Sequence, residues 1–165
     1  GKGKIGKREG FTTGGDGIYA TTDGGLRWEQ RTTAEDNTVG GYPDFMVLDP
    51  QNPQTMFVAG ALRGPATWPS SGLADARICR SDDGGRTWAR VRGGLPDPMQ
   101  PAIESMCLIH WGQSFSLFVG TTAGEVYCSD DSGVEWSRIA SGLPTIAKGG
   151  GGYGTRAALA SLGTR

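Results

Sequence analysis

The stretch "RSDDGGRTW", residues 80–88, puts two aspartates, two glycines, two arginines and a tryptophan into nine positions. Two other segments repeat it: "TTDGGLRW" at 21–28 and "SDDSGVEW" at 129–136. Aligned on their tryptophans, the copies read Thr21, Asp23, Gly25, Trp28; Ser81, Asp83, Gly85, Trp88; and Ser129, Asp131, Gly133, Trp136. The match runs further upstream, where a β-branched residue (Ile18, Ile78, Val126) is followed by Tyr19, Cys79 or Tyr127. Downstream of the second and third copies, "GLP" places Leu95 and Leu143 in register. Such a cluster is either a reacting centre or a turn that braces a fold, and one answer has to serve all three.

The tryptophans lie 60 and then 48 residues apart. A period of about 40–50 residues is that of propeller blades, with an insertion in the first interval. Between the clusters, "FMVLD", "TMFVAG", "IESMCLIH" and "SFSLFVG" are rich in β-branched and aromatic residues and bounded by Gly, Pro or Asn, as short strands are. The spacing predicts an all-β fold of four-stranded antiparallel blades. The second blade takes strands at 45–49, 55–60, 76–81 and 87–92, and the third at 103–109, 115–120, 124–129 and 136–140. Of the first blade, only strands at 17–22 and 27–32 are expected, about two and a half blades in all. The corresponding plan is a basic, flexible N-terminal end at 1–16, propeller at 17–146 (partial blade 17–32, blades 45–92 and 103–140), and a Gly-rich tail at 147–165. Propellers close with roughly four to eight blades, so two and a half predict a fragment or an assembly of several chains.

In a hairpin between the last two strands of a blade, glycine supplies positive φ, while a short acidic side chain and a hydroxyl accept hydrogen bonds from turn amides. The tryptophan can fold back over the turn. Because a brace is copied into every repeat whereas a catalytic group rarely is, the twelve aligned residues are expected to be structural.

"SDDGGRTW" resembles the Asp-box of BNR-repeat proteins, a sialidase-like superfamily of β-propellers that includes sialidases, sortilin-type receptors, xyloglucanases and photosystem assembly factors. "LDPQNPQTMFVAG" is similar to a turn between the first two strands in bacterial members described as BNR-repeat glycosyl hydrolases. The threonine before the tryptophan is present only as Thr87, with Arg27 and Glu135 in the other copies, and Ser132 replaces the first glycine of the third. The resemblance spans about 17–145 and implies a propeller fold. It is neutral about activity, since the superfamily holds enzymes, receptors and assembly factors.

A sialidase site in this superfamily uses three arginines, a tyrosine with a glutamate, and an aspartate. The Phe/Tyr-Arg-Ile-Pro motif that supplies the first arginine is absent, and Arg63, Tyr42, Glu104 and Asp44 are isolated pieces, so no catalytic residue is assigned. Ligands in the family meet the face opposite the boxes, which here is built by loops 33–44, 61–75 and 93–102. Long loops on a rigid scaffold carry binding residues, and 61–75 far exceeds its counterpart "TTAGE". Tyr42, Asp44, Arg63, Trp68 and Asp97 are therefore the candidate ligand-binding residues, for a glycan or a protein partner. The favoured function is a binding or scaffold module; the alternative is a sialidase-like or other glycoside hydrolase completed by further blades.

Composition narrows the rest. The chain has 165 residues, 29 of them glycine and 9 proline, which suits turn-rich β structure. Sixteen basic against 17 acidic residues, dispersed beyond the basic start "GKGKIGKR", give no positive face for nucleic acid. No run reaches the roughly 18–20 apolar residues of a membrane span. Three cysteines without C-x-x-C spacing and a single histidine offer no metal site. No cofactor is expected, and the cysteines are read as buried free thiols in a reducing, cytoplasmic setting. "GKGKIG" matches a dinucleotide-binding pattern without its strand and helix. The Asp82–Asp83 and Asp130–Asp131 pairs lack calcium-loop spacing. His110, expected in a turn, has no nucleophile partner.

Overall fold

The structure is a computed structural model that describes residues 10–14, 17–33 and 38–148. The basic start at 1–9 and the tail from 149 onwards lie outside the described residues. Strands form where the sequence is β-branched or aromatic. They are β1 Gly10–Gly14, β2 Gly17–Thr21, β3 Glu29–Thr33, β4 Tyr42–Leu48, β5 Met56–Ala61, β6 Ala76–Ser81, β7 Ala89–Val91, β8 Ile103–Trp111, β9 Ser114–Thr121, β10 Val126–Ser129 and β11 Ser137–Ala140. They make three antiparallel meanders ordered β1-β2-β3, β4-β5-β6-β7 and β8-β9-β10-β11.

The repeat thus yields one sheet per acidic cluster, two of them four-stranded, over 42–91 and 103–140. The first sheet has three strands instead of two. Residues 10–14, assigned by sequence to the N-terminal end, pair with β2 from Gly10↔Thr21 to Gly14↔Gly17. "GFTTG" has a single large apolar residue and no alternation of its own; what makes it a strand is the open edge of β2 beside it. His110 is likewise not in a turn but inside β8, opposite Phe115 on β9.

The core lies between the sheets. Phe57, Ala59, Ala76 and Ile78 of the second sheet pack on Met106, Phe115, Leu117, Val119, Tyr127 and Trp136 of the third. On the other face, Val58 and Cys79 pack with Ile18 of the first sheet and Val39 of the connection. All six residues of β5 are buried, because this strand is sandwiched on both faces, and its unbroken apolar run "MFVAGA" is the signature of that position. Cys79 and Cys128 are buried and Cys107 half-buried, and none of the three is in a disulfide among the described residues. Burial pushes the Cys107 thiol up; burial and the neighbouring Asp130 carboxylate push Cys128 up to about 11.

Between β5 and β6 the chain makes a helical turn, Pro65–Thr67 continuing as α1, Trp68–Ser71, which Gly72 ends with φ of 63°. Proline at the start and a left-handed glycine at the end are the ordinary start and stop signals of a helix. The loop expected over 61–75 thus contains a helical turn. No helix among the described residues is long and apolar enough to cross a membrane.

Candidate functional site

The two ends of the sheets have different chemistry. One end carries the three acidic hairpins, β2–β3, β6–β7 and β10–β11, built alike. Ser81 donates from its hydroxyl to Asp83 Oδ1 at 2.8 Å and accepts the Gly85 amide at 2.9 Å; Asp83 Oδ1 accepts the Arg86 and Thr87 amides, each at 2.9 Å. In the third hairpin Ser129 and Asp131 do the same for Gly133, Val134 and Glu135. In the first, Thr21 and Asp23 serve Gly25 and Arg27. The indole N–H of Trp88 and of Trp136 donates to the carbonyl of the glycine three residues before it, at 3.0 and 3.2 Å.

Thr87 adds a bond that the other copies lack, from its hydroxyl to Asp83 Oδ2 at 2.7 Å. With that hydroxyl first and the Thr87 amide second, the Asp83 carboxyl is held down to about 2. Asp23 is lowered chiefly by the Arg27 amide and Asp131 chiefly by the Glu135 amide. Ser132, standing where the other hairpins have glycine, takes φ of 62° itself and the third turn closes around it. The Asp23, Asp83 and Asp131 carboxylates are thus occupied by donors of their own turns.

A further pair at this end joins two sheets. His110 Nε2 lies 2.7 Å from Asp49 Oδ1, and the ring sits edge-on to Phe115. Burial, the largest single influence, pushes the Asp49 carboxyl up, but the Gln51 and Asn52 amides and His110 together leave it below its ordinary value.

At the opposite end lie the connections 38–41, 62–75, 92–102 and 122–125, and here the candidate binding residues divide. Tyr42 and Trp68 meet edge to face, with ring centroids 6.1 Å apart, although 26 residues separate them. The Trp68 indole donates to the Arg63 carbonyl at 2.9 Å, which fixes the ring over the loop. Beside it opens a cleft of about 410 Å³ lined by Leu62, Arg63, Thr67, Ser71, Leu73 and Asp75, among others. The hydroxyls of Thr67, Ser70 and Ser71 are already given to backbone carbonyls, and Asp75 is paired with Arg77 at 2.6 Å. Among the described residues no partner engages the Arg63 guanidinium, so it is the cation this cleft has to offer.

Asp44 belongs to a second group. It is the extra residue of a β-bulge between Pro43 and Phe45, and Glu104 is the extra residue of the same bulge in the third sheet, between Ile103 and Ser105. Bulges re-aim side chains at strand ends. The Lys148 ammonium pairs with Asp44 and feels Glu104 and Tyr42. Burial, the largest influence on Lys148, disfavours its charge, but these neighbours outweigh it and raise the ammonium above its ordinary value. Lys148 was assigned to the tail by sequence; the chain in fact stays on the third sheet through Ile146, which packs over Gly120. Asp97 joins neither group. It pairs with Arg90 at 2.8 Å and with Arg92, at the outer strand of the second sheet. Sequence reasoning missed Lys148, Asp75 and Glu104's matching bulge; the shared position of Asp44 and Glu104 just inside the first strand of each blade was the one available signal.

No protein-family model matches this chain, and comparison with curated protein sequences returns no match. Solved structures do match. YCF48 bound to D1 peptide superposes with a TM-score of 0.59 at 20% identity, over 86% of this chain and 39% of that one. A GH74 enzyme of Niastella koreensis gives 0.60 at 21% identity, over 86% of this chain and 21% of its own. YCF48 from Cyanidioschyzon merolae gives 0.51 at 22% identity, over 84% and 37%. The fold is that of β-propeller blades. The propeller blades described here span from about a fifth to two fifths of those proteins' lengths. At these identities the likeness fixes architecture and leaves activity to the residues.

Proposed function

We propose that the chain is part of an Asp-box, BNR-type propeller that binds a partner at its loop end and holds its shape with the acidic hairpins at the other. The observation that carries this reading is the corner at the cleft: the Tyr42 and Trp68 rings edge to face, with the unengaged Arg63 guanidinium beside them. Aromatic rings and arginine are the side chains that dominate binding energy at recognition surfaces, and an exposed guanidinium with no partner among the described residues is available for charge-assisted bonds to a ligand carboxylate. The partner that fits is an extended protein segment carrying a carboxylate. One structural neighbour is described as bound to a peptide, which supports the same reading.

A glycoside hydrolase is the second reading, favoured by the likeness to a GH74 enzyme and by Asp44 and Glu104 standing at matching bulges. Hydrolysis of this kind needs one carboxyl group kept protonated as an acid. Asp44, Asp75 and Asp97 are each already paired with a cation, Lys148, Arg77 and Arg90 in turn. Acidic and neutral peptide arrays probed beside a glycan array separate the readings. Binding to acidic peptides that is lost in Arg63→Ala and Trp68→Ala supports the peptide reading; turnover of a fluorogenic glucan or sialoside overturns it.

A further inference from the structure

Tyr42 links two groups at the loop end. Its ring meets Trp68 edge to face and lies against Gly64, the neighbour of Arg63. Two residues further along β4, Asp44 stands outside the ladder, and Glu104 stands outside the β8 ladder at the matching station. β4 and β8 run side by side across the two sheets, so both carboxylates belong to one mouth.

An ammonium from a distant part of the chain already sits in that mouth. After β11 the chain turns back over the third sheet, where the Leu143 amide donates to the Gly124 carbonyl at 3.1 Å and Ile146 packs on Gly120. Two residues later the Lys148 ammonium pairs with Asp44, from which it is 104 residues removed in sequence, and Glu104 and Tyr42 lie near enough to favour its charge. The group seated there shows what the two carboxylates accept. Its hold is light, because the Lys148 side chain is 42% exposed and an ion pair open to water contributes little. A second ammonium that brings contacts of its own can therefore take its place.

We propose that the Asp44 and Glu104 mouth is a binding site for a lysine side chain of the partner, and that Lys148 is its tethered stand-in. The proposal rests on the peptide reading above and extends it. With Arg63 on the Trp68 side of Tyr42 and the two carboxylates on the other, the surface is bipolar, and the segment that fits it carries a carboxylate and, further along, an ammonium. Opposite charges set apart in this way fix the register of an extended segment. Lys148, tethered beside the site, competes at high effective concentration, so the mouth receives the partner only for the fraction of time that the internal pair is broken.

Fluorescence anisotropy with acidic peptides tests this. Each peptide carries one lysine, moved stepwise away from the glutamate, and has a twin with norleucine, which keeps the apolar stem and drops the charge. Lys148→Met is expected to tighten the best lysine peptide about threefold, the competition that a water-exposed pair exerts, and not to tighten its twin. Adding Glu104→Gln or Asp44→Asn to Lys148→Met is expected to return the lysine peptide to the affinity of its twin, with both still dependent on Arg63. Circular dichroism checks that each variant is folded, and Glu104→Gln alone carries that arm should Asp44→Asn unfold. If Lys148→Met weakens both twins alike, Lys148 is a structural tie and the proposal is overturned. Equal affinity for lysine and norleucine peptides in Lys148→Met, both abolished by Arg63→Ala, also overturns it and leaves the peptide reading standing. Failure of every peptide to bind the parent and Lys148→Met removes the peptide reading and this proposal with it.

Discussion

The acidic-hairpin end and the loop end of the same sheets are built on opposite terms. At the hairpin end, three segments of different sequence converge on one pattern, in which a hydroxyl and a carboxylate take up the turn amides. At the loop end, corresponding connections diverge. The β5–β6 connection holds a helical turn, a cleft and an aromatic corner, while the β9–β10 turn is closed by bonds between Thr121 and the Gly124 and Glu125 amides. Repetition marks the end where polar groups satisfy one another. Singularity marks the end where the Arg63 guanidinium has no partner among the described residues.

The largest effect that sharpens this contrast is expected from Gly133→Ala. The new Cβ would meet Phe57 at 2.6 Å with φ at 88°, a collision plus a left-handed backbone. A loss of about 3 kcal/mol in urea unfolding is expected. Gly72→Ala, at the loop end with φ of 63° and open space around it, carries only the backbone term of about 1 kcal/mol. Equal losses at the two glycines would erase the distinction between the ends.

Asp83→Ala comes next. It strips the Arg86 and Thr87 amides and the Thr87 hydroxyl of their acceptor, with an expected cost of about 2 kcal/mol and no change in ligand affinity once the folded fraction is accounted for. The corresponding Asp23→Ala is expected to cost less, since Asp23 has no hydroxyl four residues on to hold. A protein that stays as stable but loses its ligand would place function at the hairpin end and invert the comparison.

The same carboxylate gives a pH dependence. Asp83 in the folded chain sits at about 2, below the ordinary carboxyl value of 3.8, so its contribution is complete above that ordinary value and is lost as pH falls towards 2. Unfolding midpoints are expected to decline over that window, and to decline less in Asp83→Asn.

The smallest stability effects belong to the loop end. Trp68→Ala removes one edge-to-face contact, about 1 kcal/mol, and Arg63→Ala is expected within about 0.5 kcal/mol of the parent. Both should abolish peptide binding. A large destabilisation by Arg63→Ala would show the guanidinium to be a structural group after all.

The hairpin end was legible in sequence because its determinants are local. Asp83 and its donors, from Ser81 to Thr87, lie within one short turn, so spacing alone encodes it, and the tryptophan interval encodes the blade. The loop end was legible only in outline. The length of 61–75 singled out Arg63 and Trp68, but their meeting with Tyr42 is a tertiary event across two strands, and nothing near Asp97 shows that Arg90 and Arg92 draw it to the outer edge. β1 was missed because "GFTTG" becomes a strand through its neighbour, and Lys148 because a lysine before a glycine run reads as tail until Ile146 is seen packed on Gly120.

The bulges at Asp44 and Glu104 carry a consequence for how such a surface diversifies. In each strand the flanking residues keep their partners, Pro43 with Gly60 and Phe45 with Ala59, Ile103 with Thr121 and Ser105 with Gly120, leaving the acidic residue as a surplus in the ladder. A surplus position can change its side chain, or vanish, without sliding anything that the interior depends on. The charge at the mouth is thereby uncoupled from the packing beneath it, and one scaffold can be re-addressed to new ligands by single-codon edits.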